Sequence, residues 1–152
     1  MKNYWLMKSE PDEFSIDALA KVGVEPWSGV RNYQARNYMM KDMKVGDGIL
    51  FYHSNCAVPG VAGLAQVAST AYPDPTQFQP KSDYHDPASK PEEPRWWLVD
   101  VGFKRKFKRV VSLDELRAQA EALGDFALLR RGNRLSVLPV TAAQYKHILT
   151  LE

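Results

Sequence analysis

Gly48-Ile49-Leu50-Phe51-Tyr52-His53 is the clearest β-strand in this chain, and what lies on either side of it decides the fold class. Large apolar and aromatic side chains fill its consecutive positions. The run leads into Ser54-Asn55-Cys56-Ala57-Val58-Pro59-Gly60, a loop by composition, and then into a second strand, Val61 to Ser69. Small residues within that second strand (Ala62, Gly63, Ala65) suggest close approach by another backbone. Strands that follow one another without a helix between them argue against a doubly wound parallel sheet.

Working outward, Tyr4 to Lys8 reads as a strand stopped by Ser9-Glu10-Pro11-Asp12, and Ser15 as the N-cap of a helix over Ile16 to Lys21. Next comes Trp27-Ser28-Gly29-Val30-Arg31-Asn32-Tyr33-Gln34-Ala35-Arg36-Asn37, with two large aromatics, two guanidiniums and three amides in eleven positions. Ser28-Gly29 signals a turn, and the residues from Asn32 predict a helix to about Met43. Downstream, Ala71 to Pro94 is a long connection holding six of the ten prolines together with Tyr72, Phe78 and Tyr84. Connections of this length are uncommon and often functional. Arg95 to Phe103 and Phe107 to Val111 read as two strands, with Trp97 rather than Trp96 expected in the core beside Leu98 and Val99. Ser112-Leu113-Asp114-Glu115 and Thr141-Ala142-Ala143-Gln144 are capping boxes. The first opens a helix to about Leu123, and the second opens the final helix. A helical piece over Phe126 to Arg131 and a strand over Arg134 to Val140 lie between them. The sum is an α+β chain: one mixed, curled sheet or small barrel of about six strands, with helices around its rim.

At 152 residues and 45% apolar, the whole chain (1–152) suits one domain with one core. A net charge of +2 is too small to imply nucleic acid, but its distribution is uneven. Lys104, Arg105, Lys106, Lys108 and Arg109 fall within six residues, and Arg130, Arg131 and Arg134 form a second group. Both groups are candidates to hold phosphates. Cys56 is the only cysteine, and His53, His85 and His147 have no partner at ligand spacing, so neither a disulfide, a metal nor another cofactor is expected. No apolar run reaches the roughly 18–20 residues of a membrane span, and the start carries no signal-peptide pattern. The expected location is cytoplasmic, or nuclear in a eukaryote.

Trp27, beside oriented donors at a turn, suits a flat, polar, electron-rich ring, most commonly a nucleobase, which would stack on the indole. Asn32, Tyr33 and Arg36 would then hydrogen-bond the base edge or a flanking phosphate, with Lys8 and Ser9 reaching in from a strand end. Tyr52, His53 and Ser54 run from a strong strand into a loop, a frequent place for functional side chains. Adjacent strand residues point to opposite faces, so His53 and Ser54 should not activate one another.

Five segments, taken together and in order, closely resemble the EVE domain family. They are Tyr4-Trp5-Leu6-Met7-Lys8-Ser9-Glu10-Pro11, the Trp27–Asn37 stretch, Phe51-Tyr52-His53-Ser54-Asn55, Ala71-Tyr72-Pro73-Asp74-Pro75-Thr76-Gln77-Phe78 and Arg134-Leu135-Ser136-Val137. The resemblance implies a PUA-like pseudo-barrel, related to YTH and ASCH domains, with a pocket for a modified base in DNA or RNA. It also adds Arg31 and Ser136, which stand in the matching segments, to the expected ligand-binding set. The expected function is therefore a non-enzymatic module that reads a modified base in nucleic acid. Two alternatives remain open on sequence: an enzyme acting on a nucleotide or small aromatic metabolite through Lys8, His53 or Asp100, and a protein-interaction module docking through the proline-rich 71–94 segment.

Overall fold

A computed structural model describes residues 2–152. Eight strands are formed: β1 (Tyr4–Ser9), β2 (Val24–Pro26), β3 (Gly48–His53), β4 (Gly60–Val67), β5 (Tyr72–Pro73), β6 (Trp97–Leu98), β7 (Asp100–Ser112) and β8 (Val137–Val140). Six of them make one sheet in the order β2-β7-β4-β3-β1-β8, and β5 pairs with β6 separately. Within the large sheet β1 and β3 run parallel, while the other pairs are antiparallel. The helices are α1 (Ile16–Val22), α2 (Tyr33–Asn37), α3 (Leu113–Ala118), α4 (Ala120–Leu123) and α5 (Ala142–Leu149).

The continuous apolar run of β3 follows from burial on both sides. Ile49 and Phe51 join Trp5, Met7, Ile16, Leu19 and Trp27 in one core, while Leu50 and Tyr52 join Leu6, Leu116, Phe126 and Ile148 in another. Pleating sends successive residues to opposite faces, so the two cores sit on the two sides of the sheet. The parallel register pairs Lys8 with Tyr52 and Ser9 with His53. Lys8 and Tyr52 thus lean to the second side, Ser9 and His53 to the first. That division positions everything described below.

The small residues of β4 mark close approach to β7. A Cβ on Gly63 would stand 2.6 Å from the Arg105 carbonyl oxygen, and one on Gly60 2.3 Å from that of Val111. Register shifts at Val61/Gly63 and Leu64/Ala65 bend this pair, which curls the sheet.

Local signals place most helix starts. Ser15 caps α1 by accepting from Ala18 N–H, and both capping boxes form, at Ser112/Glu115 and Thr141/Gln144. Several boundaries differ from the sequence expectation. The strand expected over Arg95 to Phe103 is split into β6 and the start of β7. The helical piece expected over Phe126 to Arg131 is a single 3-10 turn at Ala127–Leu129. The strand expected to reach Ser69 ends at Val67. The helix predicted to reach Met43 stops at Asn37 and continues as a π-helical turn, Tyr38–Asp42, closed by a 2.9 Å bond from Met43 N–H to the Tyr38 carbonyl. The helix predicted to reach Leu123 breaks at Gln119 between α3 and α4. Lys104 to Lys106 do not interrupt β7; they project outward from one 13-residue strand whose Phe107 points inward. Strand β8 begins only at Val137, leaving Arg134 to Ser136 outside it, although the Ser136 carbonyl still accepts from Lys8 N–H at 2.8 Å. Strand β2, not foreseen, pairs along β7 through Val24, Glu25 and Pro26.

The proline-rich connection is ordered around a polar centre. Gln77 is fully buried; its amide donates to the carbonyls of Asp74 and Trp96 and accepts from Ser89 Oγ and Trp96 N–H. The tryptophan expectation is reversed. Trp96 is the buried one, its N–H bonded to Asp86 at 2.7 Å, whereas Trp97 is half-buried and bonds the Pro94 carbonyl. Polar anchors rather than apolar neighbours choose between them.

Candidate functional site

The carboxyl ends of β1 and β3 and the start of β8 meet at one end of the sheet. On the first side of that end lies a cavity of about 560 Å³, within the range of roughly 300–1,000 Å³ usual for small-ligand sites. Its aromatic walls are Phe14, Trp27 and Tyr84; Ser9, Ser28, Ser54 and Ser136 supply hydroxyls. Lys8, Arg31 and Arg134 contribute positive charge, and Glu10, Glu13 and Glu25 negative charge.

Trp27 is held by its backbone, which donates to the Val99 carbonyl at 3.0 Å, and by edge-to-face contacts with Phe14 and Phe51 at centroid distances of 6.2 and 5.7 Å. The residue is only 8% exposed. It therefore presents an edge to the cavity and not the open face expected of a stacking platform. That edge carries chemistry. The indole N–H groups of Trp5, Trp96 and Trp97 each meet a protein acceptor. Among the described residues that of Trp27 meets none, yet no buried polar side-chain atom lacks a partner. The Trp27 N–H is consequently accessible, and Trp27 borders the cavity.

A clip sets the shape of this wall. Asp74, 1% exposed, accepts from Gly29 N–H at 2.8 Å, Arg31 Nη1 at 3.1 Å and both the backbone and hydroxyl of Thr76. Arg31 also donates to Thr76 and to the carbonyls of Val30 and Tyr84, so its guanidinium is engaged on all sides. Gly29 has φ +89°, and a Cβ there would lie 2.7 Å from the Tyr84 ring. Tyr84 can rest on this backbone only because position 29 has no side chain. Arg31 lines the cavity, but its role is to tie the Tyr84 loop to the Trp27 turn.

The structure brings Lys8, Ser9, Trp27, Arg31, Ser54 and Ser136 of the expected ligand set to the cavity, with Arg134 from the expected phosphate set. It puts the others elsewhere. Asn32 caps α2, its Oδ1 accepting from Ala35 N–H. Tyr33 stacks on Trp96 with centroids 4.9 Å apart, Arg36 lies 4.7 Å over Tyr33, and Arg36 donates to the Arg95 carbonyl. Tyr33 and Arg36 form an outer layer against the 71–96 connection. His53 Nε2 accepts from Ile16 N–H, and burial lowers its pKa, in keeping with a neutral ring that fixes the start of α1. Tyr52 points to the opposite side of the sheet. Asp100 accepts from the Tyr72 hydroxyl, which burial and that bond push up to about 12. Of the basic run, Arg105 pairs with Glu152, Lys106 with Asp17 and Arg109 with Glu115, which leaves Lys104 and Lys108 as its unpaired cations among the described residues.

Tyr84 and the Ser28 side chain were not in the expected ligand set, although the turn at Ser28-Gly29 was read from the sequence. Their signal was indirect: an aromatic in a proline-rich connection, and a serine-glycine pair after a tryptophan. Nothing local links Tyr84 to Gly29, which lie 55 positions apart in the chain.

A curled mixed sheet with an aromatic-walled cavity where parallel strands end defines a PUA-like module. The chain belongs to the EVE domain family, which it matches over residues 3–151. It is 46% identical to thymocyte nuclear protein 1 of Danio rerio, covering 97% of this chain and 71% of that relative. A solved structure from Pseudomonas syringae is 51% identical with a TM-score of 0.93, covering 97% of this chain and 98% of that one. Human thymocyte nuclear protein 1, solved in complex with DNA containing 5-methylcytosine, is 40% identical with a TM-score of 0.93, covering 99% and 97%. A YTH domain of Zygosaccharomyces rouxii shares the fold at 16% identity and a TM-score of 0.55. No helix among the described residues is long and apolar enough to cross a membrane.

Proposed function

We propose that this chain reads a modified base in nucleic acid, taking the extruded base into the cavity beside Trp27. The observation that carries the proposal is the accessible Trp27 N–H in an aromatic-walled hollow edged with hydroxyls, on a fold 40% identical to a protein solved with 5-methylcytosine DNA. An indole N–H is a donor only, so it selects an acceptor on the base edge, such as a carbonyl oxygen or ring nitrogen. Phe14 and Tyr84 border the same hollow and supply apolar contact. Mixed charge around the mouth suits a neutral heterocycle better than a free anion.

Binding rather than catalysis is the reading, because the groups a reaction would need are apart. Lys8 borders the cavity, while His53 is engaged with the start of α1 and Asp100 with Tyr72. The 71–94 segment is committed to its own glutamine-centred network and to the Arg31 clip, which weighs against a docking tail. A reader of nucleic acid works inside the cell, in the nucleus where there is one.

Burying one methyl group is worth about 0.8 kcal/mol, so preference for a methylated base over the plain one should be about fourfold. The test is a binding comparison of DNA and RNA oligomers, with and without 5-methylcytosine, at fixed salt. Trp27→Phe keeps the ring and removes the donor; affinity for the preferred oligomer should fall about fivefold, the scale of one net hydrogen bond. Unchanged affinity in a folded variant would rule out the donor role, and no preference by the wild type among any modified oligomers would rule out the reading.

A further inference from the structure

The base cavity leaves a second hollow unexplained, on the opposite side of β1 and β3. It has a volume of about 390 Å³, and its polar lining is Lys8, Tyr52, Arg117, Arg130, Arg131 and Asn133. Four cations and no carboxylate line it. The acids that meet its arginines stand outside: Asp114 lies 3.6 Å from Arg117 and Asp125 3.0 Å from Arg130. Neither Lys8 nor Arg131 has a carboxylate within ion-pair distance among the described residues.

Two features show that this is a formed site and not merely a basic surface. Tyr52 is 3% exposed and its hydroxyl makes no hydrogen bond among the described residues, although no buried polar atom is left without a partner. That hydroxyl therefore reaches the hollow as an available donor. The turn carrying Arg131 is fixed as well: Gly132 takes φ +76°, and Asn133 donates to the Ala127 carbonyl at 2.7 Å and accepts from Leu135 N–H.

Lys8 and Arg131, which meet no carboxylate among the described residues, together with a tyrosine hydroxyl and two arginines whose acids lie outside the hollow, suit a phosphate. Lys8 borders both hollows. A strand that inserts a base on the first side needs to cross only the end of β1 to lay its backbone on the second. We infer that the second cavity is an anion site that receives a backbone phosphate of the same strand whose base enters the first. The inference rests on the base-reading function proposed above.

The test uses the full chain and fluorescein-labelled single-stranded DNA 12-mers, each with one central 5-methylcytosine, read by anisotropy. A neutral methylphosphonate replaces one linkage at a time, and wild type is compared with R117Q/R131Q, both exposed positions whose thermal unfolding should be unchanged. At one linkage near the methylcytosine the neutral replacement should weaken wild-type binding about tenfold, the scale of one charge-assisted hydrogen bond. It should cost the double variant nothing further. The variant should bind methylated and plain oligomers equally more weakly, with a salt slope shallower by about one to two. Wild-type affinity and slope in the variant, with methyl preference intact, would overturn the phosphate site and leave the base reading standing. So would a linkage effect that persists undiminished in the variant. Failure of the wild type to bind any oligomer would overturn both.

Discussion

The two cavities at the end of β1 are separated by one strand and differ in almost every physical respect. The first has aromatic walls, cations and carboxylates together, and a shape imposed by the buried Asp74–Arg31 clip. The second has four cations, a tyrosine hydroxyl and Asn133 over three leucines, with no carboxylate in its lining, and a local turn carries its Arg131. Shape and hydrogen-bond matching serve selectivity, while unbalanced positive charge serves affinity that does not depend on sequence. The contrast sets shape matching on one side of β1 against positive charge on the other.

The largest expected effect breaks the first cavity alone. Asp74→Ala leaves the half-buried Arg31 charge and the Gly29 N–H without their acceptor, and should cost about 3 kcal/mol in denaturant unfolding. In the folded fraction methyl preference should vanish, while salt-dependent binding of plain oligomer persists. Loss of both together would show that the cavities are not separable. Gly29→Ala comes next: a side chain at φ +89° that meets Tyr84 should destabilise by about 1–3 kcal/mol and displace that ring. Thermal unfolding, with methyl preference as the second readout, checks it.

A smaller effect sharpens the second cavity. Burial lowers the Lys8 pKa below its ordinary 10.5. Between the lowered value and 10.5 the unfolded chain holds the proton more firmly than the folded one, so this group makes stability rise with pH across that interval. A bound phosphate favours the ammonium, so anion binding should weaken as pH rises through the lowered value. Lys8→Arg should remove this alkaline fall-off in titrations with an oligomer of dA and dC. The smallest effect is expected on β7. Lys104→Gln with Lys108→Gln should change stability by less than about 0.5 kcal/mol, and should change the salt slope less than R131Q does. A larger slope change from the β7 pair would move the phosphate track away from the second cavity.

What could be read in the sequence was what adjacent residues decide among themselves. The Gly48–His53 run, the Ser15 cap and both capping boxes depend on neighbours within a few positions, and they form as expected. Lys8, Ser9, Ser54 and Ser136 reach the cavity because strand ends converge there. Arg31 looked like a ligand donor because its acceptor, Asp74, lies 43 positions away and cannot be paired with it by pattern alone. The 104–109 run looked free for the same reason, since Glu152 and Asp17 arrive from opposite ends of the chain. Trp96 and Trp97 were assigned the wrong way round because apolar neighbours are visible in a sequence and a distant Asp86 or a buried Gln77 is not. Asn32 was expected to cap, bind or do both, and its Oδ1 does cap α2.

The pleat of β1 has one last consequence. Lys8 and Ser9 are consecutive, so a single residue inserted or deleted upstream in this strand would point the ammonium to the first side of the sheet and the hydroxyl to the second. The length of a six-residue segment is thus as much a determinant of recognition as any side chain it carries.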